Sequence, residues 1–397
     1  MKMPRPASAG SPSGFSLVEL MVSMTILTAI MLLFVGILDQ TQKTWDFAAG
    51  QISEFREARV AFDLMTKSIA QATLNTYYEQ VDKNGDGVPE AYIPQSELQF
   101  VTMRAEDVRM PQYEQIGPGQ AIFFQAPLGV SDWNGGSEDP VYTRFDGAKD
   151  RMDLSALSNL LVARGYFVAF NGDKNYRPDF LNSALNLAER KRYRLMEFIP
   201  PSEADQVYFD YAEEDPSNKT VKHFQKWYRN TQDLINYSRP LSENIVALCI
   251  SPREPLAQRT KAISDLTPAM VDRLMTEKIA PNFTYDSESD LDGDGYFDHL
   301  LPPLVKITMI AIDETSAIRL DDKFNGRPYM RNMRGGLMPR PTWLTSSDNL
   351  ASDLAAFTKL VEDQIKDQSG VKVRYKIFSS TINIKSSKWQ APKSASR

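Results

Sequence analysis

The sequence predicts an α+β fold in which one long N-terminal helix, first membrane-spanning and then amphipathic, carries a β-rich globular head with inserted helices. Three observations predict it. From Phe15 to Leu38 runs an apolar segment of 24 residues whose only charge is Glu19, long enough as a helix to cross about 30 Å of hydrocarbon. No proline occurs between Phe15 and Val88, and Ala48, Ile52, Phe55, Ala58, Phe62, Met65, Ile69 and Ala72 recur at spacings of three or four, the period of an apolar helical stripe. After Pro89 the texture changes to short runs rich in β-branched and aromatic residues, separated by turns.

The first element sets the topology. Ahead of the apolar run lies a leader of Ser, Pro and Ala with Lys2 and Arg5 and no acid. The positive-inside tendency keeps that leader cytoplasmic and sends everything after Leu38 across the inner membrane. A secretory signal has a shorter apolar core followed by a small-residue cleavage site, whereas here the small residue, Gly14, precedes the run. A carboxylate in such a segment costs about 2.5–3.5 kcal/mol at the bilayer centre, so Glu19 marks a function. The order Gly14, Phe15, Ser16, Leu17, Val18, Glu19 resembles the type III signal of type IV pilins and type II secretion pseudopilins. The resemblance implies that a prepilin peptidase cuts between Gly14 and Phe15, that Phe15 is methylated, and that Glu19 meets the α-amine of a neighbouring pilin-like subunit in a filament core. Continued to about Thr76, the helix would be roughly 90 Å long.

In the head, "AYIPQSELQFVTM", "QAIFFQAPL", "GYFVAF", "YRLMEFIPP", "QVYFDYA", "NIVALCIS", "LVKITMIAID" and "VKVRYKIFSSTINI" have strand composition. Helical patterns fall at 151–164, 222–238, 267–279 and 352–367. The basic run from Glu189 to Arg194 reads as a solvated face, and the Gly-, Pro- and Arg-rich segment 323–349 as a long exposed loop. Segments such as "EFREARVAFDLMTKSIAQATLNTYY", "YRLMEFIPPSE" and "LPPLVKITMIAIDE" make the chain similar to the pilin-like Verru_Chthon cassette protein C family, from about residue 14 to 390. That likeness implies a pilin-like head and supplies no activity. The expected organisation is a leader at 1–14, a membrane or filament-core helix at 15–38, an amphipathic continuation at 39–78, the head at 79–390 and a flexible tail at 391–397.

Composition narrows the chemistry. A net charge of −6 argues against a chain that grips nucleic acid through its whole surface. Two histidines, His223 and His299, make zinc clusters and Ser/His/Asp catalysis improbable. The single cysteine, Cys249, sits in an apolar run and reads as a small core residue. No catalytic constellation and no organic cofactor are expected.

Two loops carry metal-ligand spacing. "DKNGDGVPE" sets Asp82, Asn84, Asp86 and Glu90 at positions one, three, five and nine with Gly87 at six; "DLDGDGYFD" repeats the scheme with Asp290, Asp292, Asp294, Gly295 and Asp298. Alternate oxygen ligands on a tight turn are what a hard cation needs, although position twelve, Ile93 or Leu301, lacks the bidentate glutamate of an EF-hand. Asp, Asn and Gly also close ordinary hairpins, so structural calcium and a plain turn both remain open here. The functional expectation is a non-enzymatic prepilin-like subunit of a type IV pilus-like or type II secretion-like filament, a minor component given its large head. The rivals are a membrane-anchored envelope module that binds polysaccharide, DNA or a secreted substrate, and an anchored envelope enzyme.

Overall fold

The computed structural model describes residues 17–82, 85–89, 91–108, 110–130, 141–143, 149–151, 160–178, 180, 188–202, 213–214, 222–223, 227–254, 279–288, 298–366 and 371–388. The chain divides into two compact units, Met1–Glu54 and Phe55–Arg397.

The first unit holds helix α1, Leu17–Glu54. The second opens with helix α2, Arg56–Ile69, whose Ala58, Ala61, Phe62, Met65 and Ile69 are buried. The helical pattern expected to run unbroken to Thr76 is therefore interrupted at Phe55 (φ −105°, ψ 10°) and ends at Ile69. Its exit is tightened by i→i+3 bonds, from the Gln71 N–H to the Ser68 carbonyl and from the Ala72 N–H to the Ile69 carbonyl. The Thr73 N–H then donates to the Gln125 carbonyl, so a strand captures the next turn's donor.

After a hairpin of β1 (Tyr77–Val81) and β2 (Ala91–Gln95), the head builds on β3 (Val101–Arg104), β4 (Gln115–Ile116), β5 (Gln120–Pro127), a short hairpin of β6 (Val141–Thr143) and β7 (Lys149–Arg151), β8 (Leu161–Gly172) and β9 (Lys191–Phe198). There follow the short pair β10 (Glu213–Glu214) and β11 (Lys222–His223), helix α3 (Thr231–Tyr237), β12 (Ser238–Glu243), β13 (Ile245–Arg253), β14 (Tyr285–Asp286) and β15 (Leu304–Ile312). Helices α4 (Glu314–Phe324) and α5 (Leu350–Lys366) and strand β16 (Tyr375–Asn383) complete the order. Seven strands form an antiparallel sheet in the order β12-β9-β8-β5-β3-β14, with β4 beside β8; β13-β15-β16 form a second.

Alternation along β5 shows how the core divides. Ile122 and Phe124 face a cluster shared with α2, β13, β15, α4 and α5, while Ala121 and Phe123 face a second cluster closed by Met110, Tyr228 and Leu234. With both faces covered, β8 is buried from Val162 to Asn171, Arg164 included, and is apolar from Tyr166 to Phe170. Where the two sheets meet, Gly119 bridges to Leu248 with φ +107°, and a Cβ there would stand 1.8 Å from the Leu248 carbonyl oxygen. Only glycine allows that approach.

Four expectations are corrected. Residues Leu161–Arg164, within the helical pattern at 151–164, belong to β8, because pairing with β5 on a buried sheet outweighs a weak helical period. The helix expected at 222–238 shrinks to Thr231–Tyr237, started by Asn230, whose side chain accepts from the Gln232 and Asp233 N–H groups. Arg192 and Arg194, in the run read as solvated, are 2% and 1% exposed; Arg192 is held by Glu314 (3.2 Å) and Asp321 (3.4 Å), and Arg194 by Glu243 (3.1 Å). Segment 323–349 buries Tyr329, Met330, Leu337, Trp343 and Leu344. Buried Asp353 pins it, accepting from the Leu344 N–H (3.0 Å) and from Arg340. The pattern at 267–278 and the run 206–212 lie outside the described residues. Helix α4 was not expected, although Asp313 caps its start through the Ser316 N–H and left-handed Asn325 with Gly326 ends it.

Candidate functional site

Glu19 lies in the first turn of α1, where a carboxylate faces the positive end of the helix dipole. Gly14 and Phe15 lie outside the described residues. From Leu17 to Leu38 the helix has 22 residues long and apolar enough to cross a membrane. Its Leu, Ile, Val, Met and Phe side chains in that span are 46–77% exposed. An apolar surface of this size needs lipid or other helices to cover it. Its polar side chains are adapted to the same setting: Ser23 donates to the Glu19 carbonyl (2.6 Å), Thr25 to Val22 (2.8 Å) and Thr28 to Met24 (2.7 Å). Each hydroxyl is satisfied within the helix, as a water-free environment requires.

The first acidic loop closes the β1–β2 hairpin beyond the Val81–Ala91 pair. Asp82 accepts from the Gly85 and Gly87 N–H groups and Asp86 from the Val88 N–H, all at 2.7 Å. Gly85 and Gly87 have φ of +74° and +81°, so the glycine expected at position six does take the left-handed turn. These are the bonds of an Asx-type turn, and each carboxylate oxygen keeps lone pairs beyond them. Asn84 and Glu90 lie outside the described residues, as do Asp290, Asp292 and Asp294 of the second loop. Asp298 is half-buried. The chain just after it is tethered: the His299 carbonyl accepts from Thr76 (3.3 Å), that of Leu300 from the Tyr285 hydroxyl (2.7 Å) and that of Leu301 from Ser387 (2.8 Å). Burial pushes the His299 imidazole down to about 4. Among the described residues no group of three His, Cys, Asp or Glu side chains gathers around a common point.

Cys249 is 3% exposed and burial pushes its thiol up, which leaves a core residue with little thiolate. Tyr166, Tyr193, Tyr285 and Tyr329 are all raised by burial. The buried Arg192 centre is the feature that reading the sequence missed. Its signal was present in the alternation of Arg192 and Arg194 within a run of strand composition, and in the acids of "DETSAIRLDD" that reach it.

Residues 11–35 match the family model described as the prokaryotic N-terminal methylation motif. No curated protein and no solved structure matches the chain. The matched stretch contains Gly14, Phe15 and Glu19 and runs into the exposed apolar part of α1. The N-terminal end thus carries a pilin-type methylation motif on a helix long and apolar enough to cross a membrane.

Proposed function

We propose that this chain is a structural subunit of a pilin-like filament, without enzymatic activity of its own. A prepilin peptidase removes residues 1–14 on the cytoplasmic side, Phe15 becomes the methylated N-terminus, and Glu19 docks on the α-amine of a neighbouring subunit. The observation that carries this reading is the match of residues 11–35 to the methylation motif, which overlaps the exposed apolar helix Leu17–Leu38. The large head fits a minor component of a type IV pilus-like or type II secretion-like assembly. The finer likeness to the Verru_Chthon cassette protein C family belongs to this same reading.

The deciding experiment is the mass of the N-terminal peptide of the protein recovered from native membranes. A peptide beginning at methylated Phe15 supports the proposal, and an intact leader or a cut beyond Leu38 overturns it. Glu19→Ala should leave the chain membrane-bound and abolish its recovery in sheared filament fractions. An unchanged filament yield would exclude the ion-pair role.

We also assign structural calcium to the loops at Asp82–Glu90 and Asp290–Asp298. Adding calcium to chelated protein should raise its melting temperature, and Asp82→Asn should reduce that rise. Equal melting curves with and without calcium would remove the assignment.

A further inference from the structure

The edge strands of the two large sheets are not alike. β12 carries Pro240 and shifts register between Pro240 and Ser242, β4 and β14 have two residues each, and β13 carries Pro252 and is bridged to Gly119 through Leu248. Proline, register breaks and shortness are how proteins keep a sheet edge from pairing with another chain. β16 has none of these: its nine residues, YKIFSSTIN, hold no proline or glycine and one charge, Lys376, and they pair with β15 without a register shift.

That pairing turns one set of backbone groups outward. At the two ends of the ladder the Asp313 N–H donates to the Arg374 carbonyl and the Ile384 N–H to the Pro303 carbonyl, both at 3.2 Å. An antiparallel ladder alternates bonded and outward residues, so the even-numbered positions from Arg374 to Ile384 face β15, and Tyr375, Ile377, Ser379, Thr381 and Asn383 turn their N–H and C=O groups away from it. Among the described residues no hydrogen bond reaches those outward groups. The open stretch is bounded at both ends, since the Lys385 N–H is taken by the Ala70 carbonyl (3.3 Å) and Val373 is buried. Ser379, Thr381 and Asn383 are exposed.

A row of unmet backbone donors and acceptors specifies an extended polypeptide as its occupant, because only another strand meets all of them at once. The strand's own composition points to a copy of itself. Ile377–Asn383 is uncharged, holds the β-branched Ile377, Thr381 and Ile382, and lacks proline and glycine, the pattern of segments that pair with their own copies. Centred on Ser379, an antiparallel pair of β16 strands sets Ile377 opposite Thr381 and Tyr375 opposite Asn383, so each outward residue of one copy meets an outward residue of the other. Lys376 falls opposite Ile382, and the two Lys376 side chains stand roughly 20 Å apart along the pair, well past the screening length of about 8 Å.

We propose that β16 is a strand-addition site and that its occupant is β16 of a second copy of this chain, paired antiparallel about Ser379. The two three-stranded sheets then join edge to edge into one. Because the contact uses the same patch on both copies, it closes as a two-fold pair of heads and does not propagate. It is made by the head alone and does not depend on whether the N-terminal helix is assembled in a filament.

Sedimentation equilibrium of the detergent-solubilised full chain tests it, in a Glu19→Ala background that removes the proposed helix contact. The parent should show a monomer–dimer equilibrium. Ser379→Pro removes an outward donor and leaves the bonds to β15 in place, as proline on an edge strand allows. It should weaken the dimer at least tenfold or so, because the two-fold removes two bonds at once. Ser379→Lys and Ser379→Glu each set like charges directly opposite one another and should weaken it by a similar factor, while an equimolar mixture of the two should dimerise at least as tightly as the parent. The proposal is overturned by a monomeric parent, by a Ser379→Pro variant that dimerises as before, or by a mixture that stays monomeric while both charged variants melt like the parent. It is likewise overturned by parent assemblies that grow without limit, which would make β16 an aggregation hazard and not a site.

Discussion

Arg192 shows how one side chain fixes an element. Its guanidinium is 2% exposed and reaches Glu314 and Asp321, both on α4, so a charge that looks surface-bound in sequence ties that helix to β9. Removing one partner of a buried pair strands the others, and Arg192→Leu should lower stability by about 2–4 kcal/mol in urea denaturation. Burial raises the Glu314 carboxyl, but the Asn244 hydrogen bond and Arg192 more than offset it, leaving it below the ordinary carboxylate range. Its contribution is therefore fully present above the unfolded value of about 4.3 and is lost as pH falls through the lower folded value. Because that side chain is 43% exposed, solvent screening keeps the effect modest. The stability gap between the parent and Glu314→Gln should close in acid; a gap independent of pH would show that the carboxylate's charge is not what α4 uses.

At the scale of elements, α2 and the Gly119 seam carry the clearest expectations. Phe62 packs its ring 5.8 Å from that of Phe378 and is 6% exposed, whereas Leu64 on the outer face is 49% exposed. Phe62→Ala should lose about 3–5 kcal/mol, and Leu64→Ala less than about 1 kcal/mol. Gly119→Ala would set a methyl into the Leu248 carbonyl and force a positive φ on alanine; a loss of about 3 kcal/mol or more is expected in the same denaturation assay. Strands with long apolar runs were legible because burial on both faces leaves few alternatives: β5, β9, β13 and β15 fall where composition puts them, as do residues 165–170 of β8, while half-exposed β16 was legible from its β-branched and aromatic residues. Helix α4 was hidden by its charged, short sequence, despite the Asp313 cap and the Asn325-Gly326 stop. The pattern over 151–164 misled because Leu, Ala and Arg suit either state, and only the partner strand β5 decides.

For the whole molecule, the anchor and the α+β class were legible from an uninterrupted apolar run and a change of period. Those signals are local. The burial of Tyr329, Leu337 and Trp343 in a segment full of Gly, Pro and Arg was not, because it depends on Asp353 and Gln364 arriving from α5. At the candidate site, the order from Gly14 to Glu19 belongs to a linear motif matched as sequence, so it needs no fold to be recognised. The acidic loops are the opposite case, since spacing alone does not distinguish a ligand set from a turn. Phe55–Arg397 forms a compact unit with its own core, and that fragment should unfold in a single cooperative thermal transition; a gradual melt would show that the head depends on the anchor.

The partnership of α2 with β16 has a temporal side. The first helix of the head rests on the last strand of the chain, through Phe62 against Phe378 and the Lys385 N–H donating to the Ala70 carbonyl (3.3 Å). A chain synthesised from its N-terminus completes α2 some 300 residues before that partner. Until Tyr375–Asn383 is made, the cover that β5, β12 and β15 give to the apolar stripe of α2 lacks its last strand. A chain that stops short of β16 therefore leaves Phe62 without the Phe378 ring and the Ala70 carbonyl without its Lys385 donor, so the end of the sequence closes what its first head helix opens.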